Sequence, residues 1–374
     1  MEKIRVLVVD DSAFMRKVIS DILTSDPAIE VIDRARNGLE CMEKVKQLDP
    51  DVVTLDIEMP VMNGLEALEQ LMLQTPVPVV MLSSLTKEGA DATIRALEYG
   101  AIDFVTKPSG PISLDINKVA DGIIERVKAA AQMKGRLKRH TLFNRLQMHK
   151  RPAPKSPPVA NESRPAVSGH PPSPTIRETR TNGSLQKLVA LGTSTGGPKA
   201  LQTVLSAIPD TFPAPIVIVQ HMPAGFTKSL AQRLDSLSAI RVTEVTDGQL
   251  IEPGTAYIAP GGYHFEVHQV NGQLRAHLHL QDPRSGHRPS VDVLFESVSR
   301  LTNVDKWAII MTGMGNDGTK GLKQMKETGR VTSIIEDEST CVVYGMPRAA
   351  IQAGLADNVV PLDKIAEKLC MLLN

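Results

Sequence analysis

The chain has 374 residues, 42% of them hydrophobic, long enough for two domains with substantial cores. Basic and acidic residues balance at 42 each and aromatics are only 3%, which excludes the basic, base-stacking surface of a nucleic-acid binder. Three scattered cysteines, Cys41, Cys341 and Cys370, form neither a metal spacing nor a disulfide framework and point to a reducing cytoplasm, and no stretch is apolar enough for a signal peptide or for membrane insertion.

Residues 1–140 alternate between short apolar runs at 4–9, 29–32, 52–55, 78–82 and 101–105 and segments of helical period such as Met15, Val18, Ile19, Ile22 and Leu23. Five βα units with short connections predict a doubly wound, five-stranded parallel sheet. The last helix of this unit is expected from about Ser113 into the basic stretch Lys134–Lys150. Residues 141–184 form the expected linker; over 151–183 proline, serine and basic residues displace the aliphatics, giving a solvated tether with a reach on the order of 30 Å. From 185 to 374 the α/β alternation resumes, with strands expected at 187–191, 215–220, 241–245, 307–311 and 331–335. Residues 255–281 alternate at period two around turn glycines and predict an antiparallel excursion from a second doubly wound parallel sheet.

The expected strand ends of the first domain carry Asp10-Asp11, Asp56, Ser83-Ser84 and Thr106-Lys107-Pro108. Carboxyl ends of parallel strands converge at one edge, so these groups should meet. Several carboxylates at one point repel unless a hard cation sits among them, and Mg²⁺, with its preference for oxygen ligands, suits Asp10, Asp11 and Asp56. In that arrangement Asp56 is the candidate acceptor of a phosphoryl group, with Lys107 and the Ser83 hydroxyl placed for phosphoryl oxygens. A lone strand-end aspartate is more often a helix cap; the joint pattern is what carries the reading.

The motifs Leu7-Val8-Val9-Asp10-Asp11-Ser12, Asp51–Pro60, Met62-Asn63-Gly64 and Gly100–Pro108 resemble those of two-component receiver domains. The resemblance covers residues 1–125. It implies phosphorylation of Asp56 by a histidine kinase, with Mg²⁺ held by Asp11, Asp56 and the Glu58 carbonyl and assisted by Asp10. It also places Ser83 and Phe104 at the switch hydroxyl and switch aromatic positions.

In the second domain, Ser194 lies in Gly192-Thr193-Ser194-Thr195-Gly196-Gly197, His221 follows Ile216–Gln220, and Asp317 lies in Gly313-Met314-Gly315-Asn316-Asp317-Gly318. Each follows an expected buried strand. A serine, a base and an acid that orients the base are the parts of a hydrolytic triad. The first segment matches the G-x-S-x-G nucleophile elbow, although the chain order serine, histidine, aspartate departs from the α/β-hydrolases. A rival reading takes Gly313–Gly318 as a literal G-x-G-x-x-G of a dinucleotide-binding module, with Glu336 near the distance of a ribose-binding acid. Against it, Asp317 would set a carboxylate beside a pyrophosphate at a helix N-terminus.

Together with these three turns, Gln220-His221-Met222-Pro223, Tyr257–His264, Arg288-Pro289-Ser290-Val291-Asp292 and Tyr344-Gly345-Met346-Pro347 resemble the catalytic domain of the chemotaxis protein-glutamate methylesterase family. That resemblance spans residues 186–374. It implies Ser194 as nucleophile, His221 as general base and then acid, and Asp317 as orienter. The implied substrate is a γ-glutamyl methyl ester on the cytoplasmic helices of a chemoreceptor, and the implied products are glutamate and methanol; receptor glutamine would be deamidated by the same attack, with no cofactor for this half. A chemotaxis histidine kinase is the implied phosphodonor. The backbone N–H groups near Thr195 and Met314 are the expected oxyanion donors. His264 and His287 fall in matching motifs without an assigned role.

Overall fold

The computed structural model describes residues 3–107, 116–135 and 186–373. The expected linker at 141–184, the helix start near Ser113 and the helix extension beyond residue 135 lie outside the described residues.

The first domain runs β1 (Ile4–Val9), α1 (Ala13–Thr24), β2 (Ile29–Ala35), α2 (Gly38–Leu48), β3 (Val52–Asp56), α3 (Gly64–Gln74), β4 (Val79–Ser83), α4 (Lys87–Tyr99), β5 (Asp103–Thr106) and α5 (Ile116–Ala131). Its strands pair in parallel in the order β2-β1-β3-β4-β5. Strands covered on both faces need continuous apolar runs, and β1 supplies one: Val6, Leu7, Val8 and Val9 are fully buried, each side chain contributing on the order of 1.5–3 kcal/mol. Side-chain caps start the helices. Ser12 accepts from Met15 N before α1, and Asn63 and Glu66 form a reciprocal capping box before α3.

The second domain contains β6 (Gln186–Thr193), α6 (Gly197–Leu205), β7 (Ile216–Gln220), α7 (Phe226–Leu237), β8 (Arg241–Glu244), β9 (Thr255–Ile258), β10 (His264–Val270), β11 (Gln273–His279), α8 (Val291–Ser299), β12 (Val304–Ile310), α9 (Thr319–Thr328), β13 (Val331–Glu336), α10 (Met346–Gln352), β14 (Asn358–Val360) and α11 (Leu362–Leu373). Seven strands form a parallel sheet in the order β14-β13-β12-β6-β7-β9-β8, and β10 and β11 make a separate antiparallel hairpin. Alternate residues of the central strand serve different layers. Val189 and Leu191 pack with α6, α7 and α11, whereas Leu188 and Ala190 pack with α8, α9 and the hairpin.

The antiparallel excursion expected over 255–281 is confined to β10 and β11. Its first piece, Thr255–Ile258, instead slots in parallel between β7 and β8, because Ala256, Tyr257 and Ile258 are buried from both sides. The edge strand β14 was not anticipated; three half-exposed residues carry no periodicity to read. No helix among the described residues is long and apolar enough to cross a membrane.

The two domains touch. Phe104 of β5 stacks on Phe226 of α7 with ring centroids 4.7 Å apart, and Arg233 of α7 pairs with Glu98 of α4. Thr195 Oγ1, in the turn after β6, donates to Asp103 Oδ2 at 2.7 Å.

Candidate functional site

In the first domain the topology reverses between β1 and β3, where open α/β sheets gather reacting groups. There Lys107 Nζ lies 2.9 Å from Asp10 Oδ2 and 2.7 Å from Asp56 Oδ2. Apart from these ion pairs, neither buried carboxylate oxygen has a hydrogen-bond partner. One oxygen each of Asp10, Asp11 and Asp56 lies within 4.8 Å of the others, and Asp11 opens onto a recess lined by Glu58, Met59 and Asn63. Three hard oxygen donors, two of them buried and held only by Lys107, fit Mg²⁺. Burial pushes the Asp56 carboxyl up to about 6, the nearby Asp10 charge adding to the rise and Lys107 opposing it.

Ser83 is turned away from the acid pocket. Its hydroxyl donates to the Gly89 carbonyl at 3.1 Å and lies 2.8 Å from the Thr93 hydroxyl, turned into the start of α4 instead of toward the acid pocket. A fully buried hydroxyl needs a partner, and the first turn of α4 supplies one. Phe104 is buried against the second domain.

In the second domain Ser194, His221 and Asp317 all sit just beyond carboxyl ends of strands of one sheet: β6, β7 and β12. Ser194 N donates to Thr312 O at 3.0 Å, and Gln220 Nε2 donates to both Ser194 O and His221 O, tying the serine turn to the histidine turn. Gly313 is required here: a Cβ would come within 2.8 Å of Ser194 Cβ and 2.4 Å of Met346 Sδ.

His221 Nε2 and Asp317 Oδ2 are 2.8 Å apart, and His221 Nδ1 is buried with no hydrogen-bond partner. Asp317 therefore holds one ring nitrogen and leaves the other without a partner. The Asp317 carboxylate also accepts from Ser290 Oγ, Val291 N, Asp292 N and Gly318 N, at 2.7–3.0 Å. Burial by itself would raise its pKa; His221 and the backbone donors outweigh it and hold the carboxyl at about 2. His287 stacks face to face on His221, with ring centroids 3.8 Å apart and planes 8° from parallel. Burial, with the neighbouring His221 charge, pushes His287 down to about 4, so it is a neutral ring at pH 7.

The dinucleotide alternative loses its binding groups. At the start of α9, Gly318 N and Gly321 N already donate to the Asp292 carboxylate at 2.9 and 2.7 Å, where a pyrophosphate would have to sit. Glu336 is fully buried and accepts from Thr312 N and Thr340 Oγ1, so no ribose can reach it.

Several site residues escaped the sequence reading. Thr312 joins the turns, donating to Thr195 O and accepting from Val343 N. Asp292 caps α9, and Ser290 supports Asp317. The adjacency Arg288-Pro289-Ser290-Val291-Asp292 in a matched motif was the available signal; its role became visible only once the chain folded Asp317 onto it.

Two family models match the chain: the CheB methylesterase model over residues 189–369 and the response regulator receiver model over residues 6–116. Protein-glutamate methylesterase/protein-glutamine glutaminase of Geobacillus kaustophilus is 53% identical, over 100% of this chain and 99% of that one. The protein of the same name from Bacillus subtilis is 49% identical, over 98% and 97%. Among solved structures, the chain is similar to the Thermotoga maritima CheB methylesterase catalytic domain, at 48% identity and a TM-score of 0.49, covering 50% of this chain and 98% of that one. The chain belongs to the CheB methylesterase family, as a hydrolase joined to a response regulator receiver domain.

Proposed function

We propose that the second domain hydrolyses glutamate γ-methyl esters on chemoreceptors through Ser194, His221 and Asp317, and deamidates receptor glutamines by the same route. The observation that carries this reading is the fixed Asp317–His221 pair, anchored by four further donors and standing at the strand ends beside Ser194. His221 Nδ1 takes the Ser194 hydroxyl proton as the oxygen attacks the ester carbonyl. Backbone N–H groups of Thr195 and Met314 are the proposed donors to the oxyanion; Ser194 N is already committed to Thr312 O. Collapse of the tetrahedral species expels methanol, protonated by His221, and leaves an acyl-enzyme on Ser194. Water, deprotonated by His221, then releases glutamate. A glutamine substrate follows the same steps with ammonia as leaving group. Asp317 stays ionised throughout and stabilises the imidazolium.

The receiver controls access. Asp56 is the proposed phosphoacceptor, from a chemotaxis histidine kinase, and Asp10, Asp11 and Asp56 would hold Mg²⁺, with the Glu58 carbonyl. When bound, that ion neutralises charge on the transferring phosphoryl group. Asp103 and Phe104 reach the loop next to Ser194 and the start of α7, so the receiver stands over the serine turn. On phosphorylation, Ser83 leaves Gly89 for the phosphoryl oxygen, Phe104 follows it inward, and the interdomain contact loosens.

The test is methanol release from methylated receptor, with and without acetyl phosphate. Ser194→Ala should lose about 10⁴-fold or more of the turnover, by analogy with other triads. Full turnover in that variant would rule out the serine mechanism. Phosphate incorporation should vanish in Asp56→Asn; full labelling there would overturn the acceptor assignment.

A further inference from the structure

Four of the nine histidines of the chain lie on the β10–β11 hairpin, outside the catalytic turns. Period two divides the hairpin into two faces. Phe265, Val267, Leu274 and Ala276 point into the core, and His264, Glu266, His268, Arg275, His277 and His279 share the opposite face, where Glu266 Oε1 also pairs with Arg300 at 2.9 Å. The register sets Glu266 directly across from His277 and His264 across from His279. The ring centroids of His268 and His277 are 4.7 Å apart, and those of His277 and His279 are 5.7 Å apart. Two imidazoles on one Zn²⁺, with metal–nitrogen bonds of about 2.1 Å and angles between a right angle and tetrahedral, put their ring centres roughly 4.5–5.2 Å apart. The His268–His277 pair falls within that spacing, and His279 lies about 0.5 Å beyond it.

Carboxylates stand with them. Glu266 Oε2 is 2.7 Å from His268 Nε2, and Asp247 Oδ1 is 3.5 Å from His277 Nδ1. Burial keeps His264 and His279 below the usual histidine range, which favours the neutral, metal-binding ring. The all-oxygen acid pocket of the receiver suits a hard ion, whereas this nitrogen-rich face suits a borderline one.

We propose that this face of the hairpin binds a borderline divalent transition metal, represented by Zn²⁺, through His268, His277 and Glu266, with His279 as the fourth ligand. Among the described residues only Asp10, Asp11 and Asp56 already bring three ligand atoms within 4.8 Å of one another, so the hairpin rings must turn to close on the ion. The His268 and His277 side chains are 44% and 45% exposed, which leaves them room to turn. A bound ion would clamp the two strands together. The clamp lies upstream of the segment that accepts a His264 hydrogen bond at Asp282 and carries His287, the ring stacked on His221.

The test is calorimetric titration of the full chain with Zn²⁺ in excess Mg²⁺, which saturates the acid pocket. One saturable site is expected at pH 7, at least tenfold weaker in the His268→Gln/His277→Gln double variant, weakened at pH 5, and retained in His287→Gln. The double variant should keep its esterase turnover, which also shows that it folds. Absence of saturable binding, or binding untouched by the double variant, would overturn the proposal. So would loss of binding in His287→Gln, which would put the ion at the triad. Should the double variant misfold, ring-proton resonances of the wild type decide. Zn²⁺-induced changes at His268 and His277 support the site, and changes confined to His221 and His287 refute it.

Discussion

In the proposed mechanism Asp317 serves both chemistry and folding. It accepts from His221 and from four other donors, three of them backbone N–H groups, two in the first turn of α8 and one at the start of α9. Asp317→Asn keeps the shape but removes the anion and introduces a donor. Turnover should fall by about 10⁴-fold, as in other triads where the histidine is left in the wrong tautomer, with a smaller loss of stability than in the alanine variant, because the amide NH2 must face a backbone N–H. Asp317→Ala should in addition strand buried donors at about 1–3 kcal/mol each, not fully additive, visible as a lower denaturation midpoint. Equal stability of the two variants would contradict this double role. Asp56 has the opposite character. Its carboxyl is raised from 3.8 to about 6, so the folded state holds the proton more tightly than the unfolded one, and stability falls as pH rises through about 4 to 6. Asp56→Asn removes that penalty. Without Mg²⁺ at pH 7 it should stabilise the protein by about 1–3 kcal/mol, and the gain should disappear near pH 4, as chemical denaturation at the two pH values will check.

At the scale of elements, the strand-end positions of both chemistries were legible because parallel strands are continuous apolar runs and their last residues stand out against them. β3 ending at Asp56 and β7 ending just before His221 needed only that pattern. β9 was misassigned because Thr255–Ile258 is too short to separate period two from a fully buried run. The Ser83 orientation was not legible either, since it depends on which of two partners a buried hydroxyl takes. Least readable was the meeting of β5 with α7, because nothing in a local pattern pairs Phe104 with Phe226 across more than a hundred residues. That contact is testable. A stacked aromatic pair is worth about 0.5–1.5 kcal/mol beyond its area, so Phe104→Ala should raise the undocked population, and the unphosphorylated esterase rate, roughly 2–10-fold. The stimulation by acetyl phosphate should shrink to match. An unchanged basal rate would remove Phe104 from the docking contact.

For the whole molecule, the arrangement sets two sites of different chemistry on the carboxyl edges of two parallel sheets and brings one domain against the working edge of the other. Asp103 is the joint: its carboxylate takes the Thr195 hydroxyl at 2.7 Å and lies 3.4 Å from Arg126 Nε of the same receiver. In the proposed mechanism a bulky receptor helix would have to reach Ser194 past these groups, so that docking and substrate entry would compete for one surface. Because both domains belong to one chain, redocking is intramolecular and weak contacts suffice to keep the site covered. The fragment 186–374 should then release methanol faster than the unphosphorylated full chain, and acetyl phosphate should not change its rate. Thr195→Val, which removes the hydroxyl that Asp103 accepts, should move the full chain part of the way toward the fragment. The comparison is made at equal enzyme concentration on the same methylated receptor. A fragment no faster than the unphosphorylated full chain would exclude obstruction and leave the receiver acting by positive activation or by recruitment to the receptor.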